Sequence, residues 1–375
     1  MKAALLFVAG LLAFAAPASA RPVADCPLAD APFSTRLPLI DLMLSPAASA
    51  IIEQHMPGIT AALPKAMFGT TPPSFAAIIT LAQMGAMGGK SEAQMAPALA
   101  AIDADLARLP VTATDRAARC ARYDEDRPAL AVPTGHPRLL LFEKINGFKD
   151  TPSVNAAHAA FLDLARANGW AIVTTDKGGA FNPQTLRRFD AVIWNNISGD
   201  VLTLSERAAF KAWITRGGAF LGIHGSDGDP VTWWDWYTDD LIGARFLAHP
   251  FPRQFQAARV VIDDPNSPIA AGLPPEFTLT EEWYSFRNDP RAKGAHVIAR
   301  LDETSYDPTF MGKQDLRMGA DHPIVWTRCV GRGRMFYSAI GHRPEMYATP
   351  VYRRLLTNAV IWATDAAGRA ECGAK

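Results

Sequence analysis

The sequence has no excess of charge of either sign, with 37 lysine and arginine residues against 37 aspartate and glutamate residues. A surface that binds nucleic acid or an anionic membrane carries clustered positive charge. After residue 20 the chain also lacks any apolar run near the length of about 18 residues that a membrane-spanning helix requires. We therefore expect no nucleic-acid partner and no membrane-spanning helix.

Short cofactor motifs are absent as well. The sequence contains no HExxH zinc motif, and no GxGxxG follows its first predicted strand. The stretch GGKSEAQ at 88–94 lacks the first glycine of a phosphate-binding loop and follows a predicted helix. A nucleotide is not indicated, and the ligands of any metal must come from separate loops.

The first residues have the pattern of an export signal. Residues 1–20 combine one lysine, a short apolar run and the small residues Ala18-Ser19-Ala20, which are typical of a signal-peptide cleavage site. We therefore expect a mature chain that starts near Arg21 and a periplasmic or secreted protein.

Cysteine is scarce, with four residues in the whole chain. In an oxidising compartment an even number favours two disulfides over free thiols. One pair flanks the N-terminal helical region and the other lies near the C-terminal end, so we predict disulfides Cys26–Cys120 and Cys329–Cys372. A free buried thiol at Cys329 remains an alternative, because this residue lies in a predicted strand.

The chain divides into two parts of different character. Residues 21–130 are rich in alanine and methionine, and caps such as Ser45-Pro46 predict a series of helices over 45–110. Residues 123–137 are charged and rich in proline, which is typical of a linker. We expect a helical N-terminal module at 21–130, for packing or association, and an α/β domain at 131–375.

Short apolar runs alternate with helix-like stretches in the second part. This pattern predicts a doubly wound, mostly parallel sheet with an N-terminal helical extension. The expected parallel strands are 138–145, 170–176, 191–197 and 219–225, with helices at 153–168 and 204–216. A mixed or antiparallel part and a closing helix follow, with strands at 258–263, 296–302, 323–329 and 334–341 and the helix at 350–365.

A histidine ends the fourth predicted strand. His224 stands between Gly222 and Gly225, and small residues permit a sharp strand-to-helix turn that exposes the side chain at its tip. In a doubly wound sheet, ligands bind beyond the carboxyl ends of the strands. An imidazole there suits metal binding, acid–base chemistry or hydrogen bonding to a substrate, and a structural histidine is the alternative.

Other polar side chains occupy similar positions. His249, the pair Glu281-Glu282, and His342 are in loops or at strand ends. Three histidines and a carboxylate are an ordinary ligand set for zinc or another divalent ion, whereas dispersed histidines are more often structural. Asn195 and Asn196 follow the third strand and are expected either to face the cleft or to form a plain polar loop.

Aromatic residues are dense near these groups. Such rings cover the apolar faces of sugars in binding sites, and core packing is the competing explanation. Acidic neighbours favour an exposed site, because a buried run would not be expected to hold five carboxylates. The aromatic residues are Trp233, Trp234, Trp236, Tyr237, Trp283 and Tyr284, and the acidic ones are Asp227, Asp229, Asp235, Asp239 and Asp240.

The order of motifs from about Arg138 to Ala363 resembles the ThuA-like (trehalose utilisation) family. The shared segments are INGFKDTPSV, GGAFLGIHGS, FLAHPF, EEWYSF, HPIVWTRCVGRGRMFYSAIGH and RRLLTNAVIWA. The resemblance implies a flavodoxin-like, class I glutamine amidotransferase-like fold. His224 stands where amidotransferases have their nucleophilic cysteine, so glutamine hydrolysis is not expected.

The resemblance also implies a set of pocket residues, namely His224, His249, Glu282, Trp283, Tyr284 and His342. Two positions depart from the family pattern. Asp150 stands where the family usually has histidine, so any histidine-specific role is in doubt there. Glu281 replaces the usual aspartate before Glu282.

These observations lead to one main hypothesis and two alternatives. The main one is an exported protein that acts on a disaccharide or keto-sugar derivative by acid–base, metal-assisted chemistry. Alternatively, the protein binds a saccharide or partner without turnover, or the helical module docks it to a partner; homo-oligomers are compatible with each. The expected catalytic residues are His224, Glu282 and His342, the substrate-binding residues are Asp150, His249, Trp283, Tyr284 and Asn195, and the metal ligands are His224, His249 and His342.

Overall fold

A computed structural model describes residues 23–87 and 91–373. The predicted signal peptide lies outside these residues, as does the start of the GGKSEAQ stretch. The described strands are β1 Arg138–Phe142, β2 Ala171–Thr175, β3 Ala191–Asn195, β4 Ala219–Ile223, β5 Phe246–Ala248, β6 Phe255–Ile262, β7 Glu276–Glu282, β8 Ser285–Phe286, β9 His296–Asp302, β10 Thr309–Phe310, β11 Gln314–Asp315, β12 Pro323–Val330 and β13 Gly333–Ser338.

The helices divide between the two parts of the chain. Those of the N-terminal part are α1 Leu39–Met43, α2 Pro46–His55, α3 Ile59–Ala62, α4 Leu81–Met87, α5 Glu92–Leu106 and α6 Ala113–Cys120. Those of the α/β part are α7 Thr151–Asn168, α8 Pro183–Leu186, α9 Leu204–Thr215, α10 Pro350–Thr364 and α11 Ala366–Gly373. No helix among the described residues has the length and apolar character that a membrane crossing needs.

Nine of the strands form one mixed sheet in the order β2-β1-β3-β4-β13-β12-β9-β6-β7. The five strands from β2 to β13 are parallel, and each later neighbour pairs antiparallel. The predicted doubly wound sheet with an antiparallel extension is confirmed. Strands β3 and β4 are buried along their whole length, which is why they read as continuous apolar runs.

Strand β7 and the segment before α4 differ from the prediction. No strand was expected at 276–282, because EFTLTEE contains three glutamates and few apolar residues. Residues 72–85 were expected to form one helix, but they contain a single 3-10 turn at Phe75–Ala77 and then the start of α4. Ser74 instead caps the 3-10 turn, because its hydroxyl accepts a hydrogen bond from the Ala76 amide at 3.2 Å.

The N-terminal module has a hydrophobic core separate from that of the sheet. It joins the α/β part through backbone hydrogen bonds, in which the amides of Ser74 and Val231 donate to the carbonyls of Asn146 and Ile78 at 3.0 and 3.2 Å. The loop after β1 is thus fixed against the module.

Two disulfides have the predicted pairing. Cys26–Cys120 links the two ends of the module, and Cys329–Cys372 ties β12 to α11. Cys329 is therefore not a free thiol.

Helix α9 begins with a capping box that includes a buried carboxylate. Thr203 is the N-cap, and its amide donates to Glu206 Oε2 at 2.8 Å. Glu206 Oε1 is buried without a hydrogen-bond partner among the described residues. Burial raises the pKa of Glu206 to about 7, although the hydrogen bonds with Thr203 act in the opposite direction.

Replacement of Glu206 by glutamine should therefore change how stability depends on pH. The folded pKa lies above the unfolded one, so the wild-type protein loses stability as the pH rises from about 4.5 to about 7. Glutamine does not titrate. Chemical denaturation should show that the free energy of unfolding of Glu206→Gln, relative to that of the wild type, rises by about 1–3 kcal/mol as the pH increases from 5 to 8. The exposed Glu125→Gln is the matched control, and a gain that does not vary with pH would contradict the prediction.

Candidate functional site

Loops that follow the parallel strands meet at one edge of the sheet. The carboxyl ends of β1, β3, β4 and β13 point the same way, so the residues beyond them share this edge. Asp150 precedes α7 after β1, His224 directly follows β4, and His342 lies four residues beyond β13. The antiparallel part contributes Glu282 at the end of β7. The candidate site therefore combines both parts of the sheet.

The turn after β4 places His224 in a constrained backbone conformation. Its φ of 36° is unusual for a residue with a side chain. The surrounding structure holds this conformation, because the carbonyl of His224 accepts a hydrogen bond from the Tyr337 hydroxyl at 2.8 Å. Nδ1 of the ring lies 2.7 Å from the Ala339 carbonyl, which can only accept a hydrogen bond, so Nδ1 carries a proton. The predicted sharp turn is present, but the His224 side chain is buried and not exposed at its tip.

Three side chains converge on one point. Glu282 Oε2 lies 3.1 Å from His224 Nε2 and 2.9 Å from His342 Nδ1, and the two nitrogens are 3.2 Å apart. The side chains of His224 and Glu282 are only 3% and 2% exposed, and that of His342 is 12% exposed. Among the described residues, these three form the only group of histidine, cysteine, aspartate or glutamate side chains whose ligand atoms lie close enough together to hold one metal ion.

Charge and burial act against each other in this cluster. Burial lowers the pKa of His224, and the contact with Glu282 offsets this only in part. Burial alone would raise the pKa of Glu282, but its hydrogen bonds with His224 and His342 hold it well below its usual value. Burial also disfavours the charged form of His342, yet Glu282 and Asp150 raise its pKa. Neutral His224, with its proton on Nδ1, directs the Nε2 lone pair at a carboxylate oxygen, a contact that is favourable only when a proton or cation lies between them.

The second oxygen of Glu282 contacts a different pair of side chains. Gln254 donates a hydrogen bond to Oε1 at 2.5 Å, and His249 Nε2 lies 3.3 Å from the same oxygen. The side chain of His249 is 27% exposed, so it connects the buried carboxylate with solvent. His249 was predicted as a metal ligand, but it lies outside the three-residue group. Its position on the far oxygen of Glu282 separates it from that group.

Glu281 holds the loop that carries His342. Its carboxylate accepts hydrogen bonds from the amides of Gly341 at 3.1 Å, Arg343 at 2.9 Å and Glu282 at 3.0 Å. The side chain is completely buried, and burial raises its pKa to about 7 against the effect of these hydrogen bonds. Because Gly341 and Arg343 flank His342, Glu281 positions the histidine without touching its ring.

Two further predicted residues lie at the site. Asp150 Oδ2 is 3.5 Å from His342 Nε2, on the side of the ring opposite Glu282. The ring of Tyr284 stacks on that of His224 with 4.2 Å between their centroids. Gly228 leaves room for this tyrosine, because a Cβ atom at that position would lie 2.4 Å from the Tyr284 hydroxyl oxygen.

Two predicted substrate-binding residues are buried away from any ligand. Trp283 is 1% exposed and its indole nitrogen donates to the Gln256 carbonyl at 2.8 Å. Asn195 is fully buried, and its amide donates to Glu143 and to the carbonyl of Val154. Each side chain is enclosed in the core with its polar group already satisfied, which argues against a contact with substrate.

The aromatic run at 233–237 packs against the core. Tyr237 is 4% exposed and stacks on Trp194 with centroids 4.9 Å apart. Two of the acidic neighbours, Asp235 and Asp239, form ion pairs with Arg245, so their charges do not mark an exposed ligand site. The core-packing explanation therefore holds for Tyr237, and Trp234 and Trp236 are partly buried against the same core.

Sequence reasoning missed three residues at the site. Gln254 contacts Glu282, and the rings of Phe148 and Phe255 lie 6.5 and 5.1 Å from that of His342. β6 begins at Phe255, three residues before the predicted strand start at 258. β6 runs antiparallel to β13, so its amino end, with Gln254 and Phe255, lies at the edge where the parallel strands end, a direction that the local sequence does not predict.

A doubly wound sheet that is extended by antiparallel strands defines an α/β protein. The chain belongs to the ThuA family, described as trehalose utilisation, which matches residues 138–363. A comparison with curated proteins gave no match. The N-terminal module lies outside the matched residues.

Two solved structures of ThuA-like proteins are similar to this chain. That from Bacteroides uniformis is 26% identical, with a TM-score of 0.53, and the match covers 64% of this chain and 95% of that one. That from Parabacteroides merdae is 13% identical, with a TM-score of 0.45, and the match covers 60% of this chain and 89% of that one. The first of these supports the fold of the α/β part.

Replacement of Glu281 should destabilise the protein through the loop that it holds. Glu281→Gln removes one of the two acceptor oxygens and brings an amide donor towards backbone N–H groups. We expect the free energy of unfolding to fall by about 1–3 kcal/mol in urea titrations at pH 5, where Glu281 is protonated and removal of its charge does not offset the lost hydrogen bonds. Glu276→Gln, an exposed change on the same strand, is the matched control. Equal effects of the two substitutions would contradict a positioning role.

Proposed function

We propose that this protein is exported and acts on a carbohydrate, a disaccharide or keto-sugar derivative, by acid–base chemistry at a site that holds a divalent cation such as zinc. The cation ligands would be His224, Glu282 and His342. Membership of the trehalose utilisation family supports the carbohydrate class. The two disulfides fit an oxidising, extracellular compartment and thus the predicted export signal.

The observation that carries this proposal is the triangle of ligand atoms. Its edges measure 2.9, 3.1 and 3.2 Å. In a tetrahedral zinc site with bonds of about 2.0–2.1 Å, neighbouring ligand atoms are about 3.3–3.4 Å apart. The three side chains therefore need to move by only a few tenths of an ångström to surround a cation. Two histidines and one glutamate that leave a fourth position open are also a known catalytic ligand set.

Contacts around the ligands support the same interpretation. A metal-binding histidine usually donates its other ring N–H to a carbonyl or carboxylate. His224 does so to the Ala339 carbonyl, and His342 Nε2 faces Asp150 Oδ2 at 3.5 Å. Gln254 orients Glu282 through its second oxygen. The ligand side chains are therefore fixed in position by their neighbours.

The cation and the residues around its ligands have separate roles in the proposed reaction. A bound divalent cation polarises a hydroxyl or carbonyl oxygen of a sugar. His249 is the group that we assign to proton transfer, because it is partly exposed beside Glu282 and an imidazole can act as a general acid or base. Its contact with Glu282 Oε1 orients the imidazole. Asp150 and Tyr284 would contact the substrate beside His342 and His224.

The cation can be tested by elemental analysis of the purified protein. We expect about one equivalent of zinc or a similar metal in the wild type and loss of at least 90% of it in His224→Ala, Glu282→Gln and His342→Ala, because each change removes one of three ligands. Circular dichroism should confirm that each variant folds.

His296→Gln is the matched control for this measurement. This histidine also contacts a carboxylate, that of Asp264 at 2.9 Å, but lies outside the cluster. It should keep its metal. A wild-type protein without metal, after incubation with zinc and dialysis, would overturn the cation part of the proposal.

Replacement of His249 should separate proton transfer from metal binding. We expect His249→Asn to keep the metal and the affinity for sugar but to lower turnover at least 100-fold, since general acid–base catalysis contributes about 10²–10⁴-fold. Turnover should be measured on disaccharides and keto-sugars by detection of products. Sugar binding without turnover by the wild type would instead favour a saccharide-binding protein, and unchanged turnover in His249→Asn would remove the assigned role.

A further inference from the structure

An open cleft of about 830 Å³ adjoins the candidate site. Residues 252–257 and 304–307 line it. Two of its lining residues also belong to the surroundings of the cluster, because Gln254 donates to Glu282 and Phe255 packs against His342. The cleft and the cluster therefore share a wall. The volume of the cleft lies within the range of about 300–1,000 Å³ that is typical of small-molecule sites.

The cleft contains the groups that hold a sugar ring. Phe255 is 44% exposed, and Tyr306 lines the cleft as well. Aromatic faces cover the apolar face of a pyranose, and charged or polar side chains bind its hydroxyls. Arg253 and Asp307 supply such groups: they form an ion pair, and their side chains are 67% and 44% exposed.

One side chain, that of Gln256, keeps the two walls of the cleft together. The Gln256 side chain donates to the carbonyls of Arg253 and Asp307 at 3.0 and 2.9 Å and accepts from the Asp307 amide at 3.0 Å. The strand that carries Phe255 and the loop that carries Asp307 are therefore fixed relative to each other. A preorganised cleft of this kind binds its ligand at a lower entropic cost than a flexible one.

We infer that this cleft is a second saccharide subsite, in which a sugar ring beyond the reacting ring stacks on Phe255 and hydrogen-bonds to Arg253 and Asp307. The inference rests on the proposed function, because it takes the cluster of His224, Glu282 and His342 as the place of the reacting ring. It narrows the substrate class to glycosides of at least two rings. A monosaccharide would fill only the position at the cluster.

Calorimetric titration of the full-length protein with trehalose, maltose, lactose and glucose tests this subsite. We expect the preferred disaccharide to bind at least tenfold more tightly than glucose. Phe255→Ala should weaken binding of that disaccharide about five- to tenfold and that of glucose less than twofold, since an aromatic contact of this kind contributes about 0.5–1.5 kcal/mol. Phe255→Trp, which keeps an aromatic face, should restore most of the affinity.

Phe251→Ala is the matched control. Phe251 is 42% exposed, close to the value for Phe255, but lies outside the residues that line the cleft. It should leave both affinities unchanged. Equal affinities for glucose and disaccharides, or equal effects of Phe255→Ala and Phe251→Ala, would overturn the subsite while leaving the proposed function intact. A wild-type protein that binds none of the four sugars would overturn the proposed function and the subsite with it.

Discussion

The contact of Glu282 with two histidines connects the parts of the sheet from which the site is built. A buried carboxylate is costly unless it is paired and hydrogen-bonded. Glu282 meets this requirement with His224 and His342 on one oxygen and with Gln254 and His249 on the other. Four segments of the chain must therefore come together before this one charge is compensated.

The sheet order shows how much geometry this contact requires. β7 is four strands away from β13, which corresponds to about 19 Å between strands at the usual spacing. The carboxylate of Glu282 nevertheless lies 2.9 Å from His342. Twist of the sheet and the loops beyond the strands must close this distance. Glu281, the neighbour of Glu282 on β7, contributes by binding the backbone on both sides of His342. Consecutive side chains of a strand point to opposite faces, so adjacent glutamates can serve these two purposes.

Sequence reasoning predicted the parts of this structure that depend on local pattern. The runs around β1 to β4 are apolar because helices cover them, and His224 was recognisable from its small neighbours at a strand end. Residues whose role depends on distant contacts were not predictable in this way. Trp283 and Tyr284 are adjacent and both aromatic, yet the first bonds to the Gln256 carbonyl in the core and the second stacks on His224. Their environments differ because of where the fold places each residue after β7, and the local sequence does not give this position.

The N-terminal module shows why the family fold alone does not determine the surroundings of the candidate site. Its Phe75 contacts Phe148 edge to face, with 6.5 Å between centroids, and Phe148 in turn lies 6.5 Å from His342. The amide of Ser74 fixes the same loop through the Asn146 carbonyl. The module lies outside the residues that match the family, yet it positions an exposed ring next to a proposed cation ligand. The surroundings of His342 therefore depend on residues of the chain beyond those that match the family.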